Sequence, residues 1–303
     1  MSTADAPKKP RETDDVPVPA TLRKSLKNRH IQLIALGGAI GTGLFYGSSE
    51  SIALAGPSIL LAYLVGGFAI FMIVRALSEM SVEDPKAGAF SYYATRYWSK
   101  RAGFISGWNY WFNYILVSMV ELSVVGKFVN YWFPAIPTWV SAAVFLVIIC
   151  AANLLGVSKF GEFEFWFAII KIVAVIAMIV GGLAVIIFAL PTASGIKASF
   201  ANWFTLEGGF FPNGLMEQTK DGTWTGLLMA LVVVMFSFGG TELIGIAAGE
   251  SENPGKNIPR AVRQVFWRIL LFYIFAILII SLIIPYTDPS LLRNDVKDIS
   301  VSP

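Results

Sequence analysis

Residues 31–49 read IQLIALGGAIGTGLFYGSS, and residues 232–250 read VVVMFSFGGTELIGIAAGE. Both are apolar runs of membrane-span type, and glycines interrupt both. In the first, Gly37, Gly38, Gly41 and Gly43 crowd the middle. At a helical rise of about 1.5 Å per residue, Gly41 to Gly43 lie about 15–18 Å from residue 31, near a bilayer midplane. In the second, Gly239 and Gly240 stand among Phe236, Ser237, Phe238, Thr241 and Glu242. They lie roughly 22–24 Å from residue 224. Glycine is the residue least opposed to leaving helical geometry. An unwound stretch frees backbone N–H donors, which favour an anion such as a carboxylate. The blander alternative is close helix packing through small residues. Two Gly-interrupted spans at corresponding positions of two repeats point more strongly to a transport site. Spans one and six stand five apart, as a five-helix repeat demands.

Working outward, the chain is 55% hydrophobic and only 14% charged, well under the roughly 25% charge of a soluble domain. The apolar residues fall in blocks, giving seven candidate spans at about 31–53, 57–77, 102–126, 137–157, 161–190, 224–248 and 265–287. Each is long enough for the roughly 20 residues a bilayer core needs. Residues 1–30 are polar and Pro-rich with no apolar signal-peptide core, and read as a disordered cytoplasmic tail. The segment 191–223 suits an interfacial external loop. The chain stops just after an external loop, so a partial sequence is expected.

With the N-terminus inside, 17 of the 23 Lys and Arg residues fall in inside segments and five outside. That bias sets an N-in orientation. It also accounts for the net charge of +3, so nucleic-acid binding is not needed to explain it. The run after the sixth span carries a turn signal at Asn253-Pro254-Gly255 and then Arg260, Arg263 and Arg268, read as cytoplasmic anchors. Cys150 is the lone cysteine and His30 the lone histidine. Neither a metal site nor Ser-His-Asp chemistry has material to build from, so no metal, no cofactor and no enzyme activity is expected.

Charges inside spans are costly and usually functional. Lys171 sits between Ile170 and Ile172, about 15 Å into the fifth span. Desolvation works against its charged form, as a reversible proton carrier requires; the alternative is a fixed cation bracing neighbouring helices. Glu242 is the matching acid in the sixth span, or else a helix cap. Glu121 in the third span has no basic residue at helical spacing, and its depth suggests a snorkelled interfacial carboxylate. Asp295 and Asp298 lie in the last external loop. They form either an outer vestibule that draws cations or a solvated acidic loop.

The stretches RHIQLIALGGAIGTGLF (29–45), FSYYA (90–94), GWNYWFNY (107–114), FWFAIIK (165–171) and FSFGGTELIGIAAGESENPGKNIPRAVRQVFWRI (236–269) resemble the amino acid/polyamine/organocation permeases. Within that superfamily they resemble the bacterial amino-acid transporter branch. Residues 239–303 are similar to its lysine-specific members, and the first half also to permeases for aromatic amino acids, histidine or proline. The resemblance implies an all-α membrane protein with the leucine-transporter-like 5+5 inverted repeat, here about seven spans of twelve. Residues 31–303 are then a partial permease domain, with the first repeat over 31–190 and the second beginning at 224. It implies proton-coupled import of an amino acid, lysine foremost, across the bacterial cytoplasmic membrane by alternating access. An exchanger or sensor of the same fold is the rival reading. Gly41, Thr42 and Gly43 would bind the α-carboxylate through backbone amides and carbonyls near Phe236 to Gly239 the α-amino group, with Gly38, Ser237, Phe238, Thr241 and Glu242 also in the substrate site. Lys171, Glu242 and Glu250 would handle the proton. The expected partners are the amino acid, protons and lipid.

Overall fold

The computed structural model describes residues 40–86, 88–154, 157–192, 195, 197–205, 208–220, 222–248, 251, 253–288 and 291. Gly38, Glu250, Asp295 and Asp298, together with the N-terminal tail and the start of the first span, lie outside the described residues.

The described chain is mostly helical. Helices α1 (Thr42–Phe45) and α2 (Gly47–Ala55) form the described part of the first span, separated by a turn at Tyr46. A 3-10 turn (Gly56–Ser58) leads into α3 (Ile59–Glu83). Counted straight through that turn, Gly47–Glu83 is a 37-residue apolar helix. At about 1.5 Å per residue it would exceed 50 Å, against a hydrocarbon core of about 30 Å. Gly56 resolves the excess. Its φ of 58° lies in the left-handed region that favours glycine, Pro57 follows, and the chain breaks there into two spans.

Helix α4 (Ala89–Tyr97) is short and packs along α5 (Lys100–Trp132). Next come α6 (Thr138–Asn153) and α7 (Val157–Ile187). Helices α5 and α7 are long and apolar enough to span a membrane; α6 falls short. Among its described residues, segment 191–223 carries one helical turn, α8 (Asn202–Thr205), and one strand of a small hairpin, β1 (Glu217–Gln218) paired antiparallel to β2 (Trp224–Thr225). Rather than lying loose, this segment caps the bundle. Trp203 is buried and its indole N–H donates to the Ser281 carbonyl at 3.2 Å. The Asn213 amide donates to the carbonyl of Leu54 at 2.9 Å.

The sixth span is α9 (Leu227–Ser237), a broken stretch, then α10 (Leu243–Ala247). The seventh begins earlier than expected. Asn253 stands at the N-cap and Pro254 in the first turn of α11 (Pro254–Arg268), which runs through a π-helical segment (Ile269–Phe275) into α12 (Ala276–Ile283). The Asn-Pro-Gly signal is thus a helix start, since proline lacks only an N–H that the first turn leaves unpaired anyway. Helix α11 exposes Lys256, Arg260 and Arg263 and buries Ile258, Ala261 and Val265. Arg268, expected as an exposed anchor, is fully buried.

The main core joins α1, α2, α3, α9 and the seventh span. Helix α9 packs on both α2 and α3, and α12 packs on α7. Ile40, Leu44, Ile52, Tyr63, Val234, Phe238, Val265 and Tyr273 fill the centre. Serines inside the apolar helices bond back to their own backbone: the Ser51, Ser78 and Ser81 hydroxyls each donate to the carbonyl four residues earlier at 2.7–2.8 Å. That satisfies a polar group where lipid offers no partner. Helices α5 and α6 expose most of their apolar side chains, Trp108, Trp111 and Phe145 among them. This suits a lipid or protein surround and would not suit water.

Candidate functional site

The two glycine-broken spans meet. A Cβ added at Gly43 would stand 2.5 Å from the Cα of Ser237, closer than any real contact, so only glycine lets α1 approach the end of α9. Gly41 precedes α1 in extended geometry with φ −134° and ψ −159°, and no side chain caps the helix. Its carbonyl accepts from Leu44 N–H at 3.2 Å and Phe45 N–H at 3.3 Å. The N–H groups of Thr42 and Gly43 therefore head the helix, where no acceptor exists within it.

On the facing strand of backbone, α9 stops at Ser237 and residues 238–242 form successive turns. Gly240 takes φ 86°, which a larger residue would resist. Short turn bonds replace the helical ladder, with Gly239 N–H donating to the Phe236 carbonyl at 3.0 Å and Thr241 N–H to the Phe238 carbonyl at 3.3 Å. Phe238 does not face the break. It is 1% exposed and packs edge-on to Tyr63 at 5.7 Å and against Tyr273 at 4.9 Å. Thr241 is likewise buried. Beside them the Tyr63 hydroxyl donates to Ser237 Oγ at 3.2 Å, tying α3 to the end of α9.

A cavity of about 260 Å³ lies between these breaks and α5. From the first span it is lined by Gly41, Thr42 and Gly43; from the sixth by Phe236, Ser237, Gly239, Gly240, Glu242 and Leu243. Helix α5 supplies Asn113, Tyr114, Val117, Ser118 and Glu121. Of the expected substrate residues within the described chain, the structure brings together all but Phe238 and Thr241. Glu242 accepts a hydrogen bond from the Tyr114 hydroxyl at 3.2 Å, and the Tyr114 ring lies 4.7 Å from that of Tyr110. Lys171 is half-buried on α7 and is not among the lining residues. Its charge nonetheless acts on Glu121. A larger groove of about 640 Å³ between α3 and α11 holds none of the residues at the breaks.

Glu121, expected as a snorkelled interfacial carboxylate, is exposed and lines this cavity, with its Oε1 3.6 Å from where a Cβ on Gly41 would stand. The contribution of α5 was missed as a whole. A signal for it exists: residues 113, 114, 117, 118 and 121 recur at three- and four-residue intervals, and four of the five are polar in an otherwise apolar helix.

The cavity thus offers backbone amides on one wall, turn carbonyls on another, two carboxylates, and no Lys or Arg among its lining residues. It suits a small molecule with separate anionic and cationic ends. The amino acid permease family model matches residues 30–303. Over 266 residues the chain is 54% identical to the aromatic amino acid transport protein AroP of Escherichia coli O6:H1, covering 88% of this chain and 56% of that protein. The AroP protein of Salmonella typhi is also 54% identical, over 88% of this chain and 55% of its own length. The lysine-specific permease LysP of Escherichia coli K12 is 49% identical over 93% of this chain and 55% of its own length. The chain spans about half the length of the curated relatives it matches. With this match and its apolar helices, the chain belongs to the amino acid permease family and is a multi-pass membrane protein.

Proposed function

We propose that this chain bears the substrate site of a proton-coupled amino-acid importer of the bacterial cytoplasmic membrane, working by alternating access. The observation that carries the proposal is the meeting of two broken spans across one cavity. The backbone of Gly41, Thr42 and Gly43 would take the α-carboxylate, and the turn after α9 the α-amino group. Lys171, Glu242 and Glu250 would serve proton coupling, with Asp295 and Asp298 at the outer mouth. The N-terminus is cytoplasmic in this reading. Residues 31–190 would form the first half of an inverted repeat and 224–303 the start of the second.

The side chain we assign is that of lysine. Glu242 lines the cavity, and a buried ammonium wants a carboxylate partner. A second reading has its own support: Tyr114 and Phe236 line the same cavity, and the 54% identical relatives carry the name of aromatic amino acid transport proteins. Competition separates the two. In proteoliposomes with an imposed pH gradient, excess unlabelled lysine should suppress labelled lysine uptake, and phenylalanine should not. Uptake of phenylalanine that lysine fails to inhibit would replace the lysine assignment with the aromatic one.

A further inference from the structure

Glu121 stands in the corner of the cavity beside Gly41. Its Oε1 lies 3.6 Å from the Cβ position there, and the backbone assigned above to the substrate α-carboxylate begins at that residue. The other charged groups near the cavity are few. Glu242 borders the sixth-span break and accepts from Tyr114 at 3.2 Å. Lys171 on α7 is close enough for its charge to act on Glu121. The residues that the first span contributes, Gly41, Thr42 and Gly43, carry no ionisable side chain.

We infer that Glu121 carries the proton that travels with the substrate, because its carboxylate and the substrate's occupy one corner of the cavity. Two carboxylates sharing a site do not both stay ionised; one takes a proton. The substrate carboxylate, hydrogen-bonded by backbone N–H groups, is held in its ionised form. The proton therefore goes to Glu121. It comes from water on the side to which the cavity is open, forms an O–H bond on the Glu121 carboxyl, and returns to water on the other side as the substrate leaves. In the empty cavity Lys171 balances the ionised carboxylate. Substrate and proton then load together, which is the thermodynamic requirement of symport. This inference rests on the assignment of the cavity to an amino acid, and it places the transported proton on Glu121, with Lys171 serving coupling as the counter-charge of the empty site.

The test is substrate binding to the purified full chain between about pH 5 and 8, using lysine and phenylalanine as probes and a pH-indicator dye to count protons. For the wild type we expect about one proton taken up per amino acid bound. Affinity should weaken as pH rises, approaching tenfold per unit. Glu121→Gln should bind with a flat pH profile and without proton uptake. Where thermal unfolding shows that Glu121→Gln does not fold, Glu121→Asp decides: its shorter carboxylate should keep proton uptake with a displaced pH midpoint. Wild-type proton uptake in Glu121→Gln, or an unmoved profile in Glu121→Asp, would overturn the inference and leave Glu121 as a constant partner of Lys171. Binding without proton uptake in the wild type would also overturn it, while leaving the amino-acid assignment intact. Failure to bind either probe would instead defeat the amino-acid assignment, and the inference with it.

Discussion

Gly41 and Gly43 are two residues apart and differ in what a methyl group would meet. At Gly43 it would run into the backbone of Ser237 at 2.5 Å, while at Gly41 it would reach only ordinary contact with Glu121 at 3.6 Å. Backbone at a helix contact cannot step aside as a flexible side chain can. Gly43→Ala should therefore cost about 1–3 kcal/mol of stability and push the two breaks apart. Gly41→Ala should leave stability within about 0.5 kcal/mol and weaken amino-acid binding by filling the cavity. Thermal unfolding alongside substrate titration of both variants checks this. Equal unfolding temperatures would contradict the close approach. The glycines announced both breaks in the sequence, but they did not say which one serves packing and which one lines space. That depends on Ser237, nearly two hundred positions away. Phe238 was similarly opaque: its position in the break suggested a substrate contact, while tertiary packing against Tyr63 and Tyr273 buries it.

At the scale of elements, the link from α3 to α4 is held by one carboxylate. Asp84 Oδ2 accepts from the Tyr92 hydroxyl at 2.8 Å and from Arg96 at 2.9 Å, and the Asp84 carbonyl accepts from Tyr93 at 2.8 Å. Burial, then the hydrogen bond to Asp84, pushes the Tyr92 phenol above its ordinary range. The phenol thus loses its proton later in the folded than in the unfolded chain. The stability it contributes is complete below about pH 10 and declines as pH rises through the folded value. The difference between the ultraviolet titrations of the wild type and Asp84→Asn should show tyrosinate appearing earlier in the variant, where the charge that opposes it beside Tyr92 is gone. An unchanged titration would mean that Asp84 does not set this link. Helix existence was largely legible in the apolar periodicity, but some boundaries were not. Residues 253–264 read as a turn and a charged loop because their polar content hides a helix whose buried face, Ile258, Ala261 and Val265, is narrow. The polar stripe of α5 is legible in the sequence, because Glu121 shares a helix face with Asn113, Val117 and Ser118, a relation that depth along the span does not reveal.

For the molecule as a whole, the bias of Lys and Arg predicts which ends face the cytoplasm. Cys150 is exposed and is the lone cysteine, so its replacement by alanine gives a background for single-cysteine labelling. In intact cells, Lys220→Cys should react with an impermeant maleimide and Arg263→Cys should not; the reverse pattern would invert the topology. Charge counting can predict orientation because insertion reads loop charges one by one. It says nothing of how helices from distant segments close around a cavity.

The central claim is that the breaks in spans one and six enclose an amino-acid site whose filling is linked to protons. It is tested most directly by uptake of labelled amino acid into proteoliposomes bearing the full chain, with an acidic exterior and a protonophore control. The account predicts accumulation above the external concentration that the protonophore abolishes. It also predicts that Lys171→Ala abolishes accumulation while retaining some binding. Accumulation unaffected by the protonophore, or full accumulation by Lys171→Ala, would contradict it.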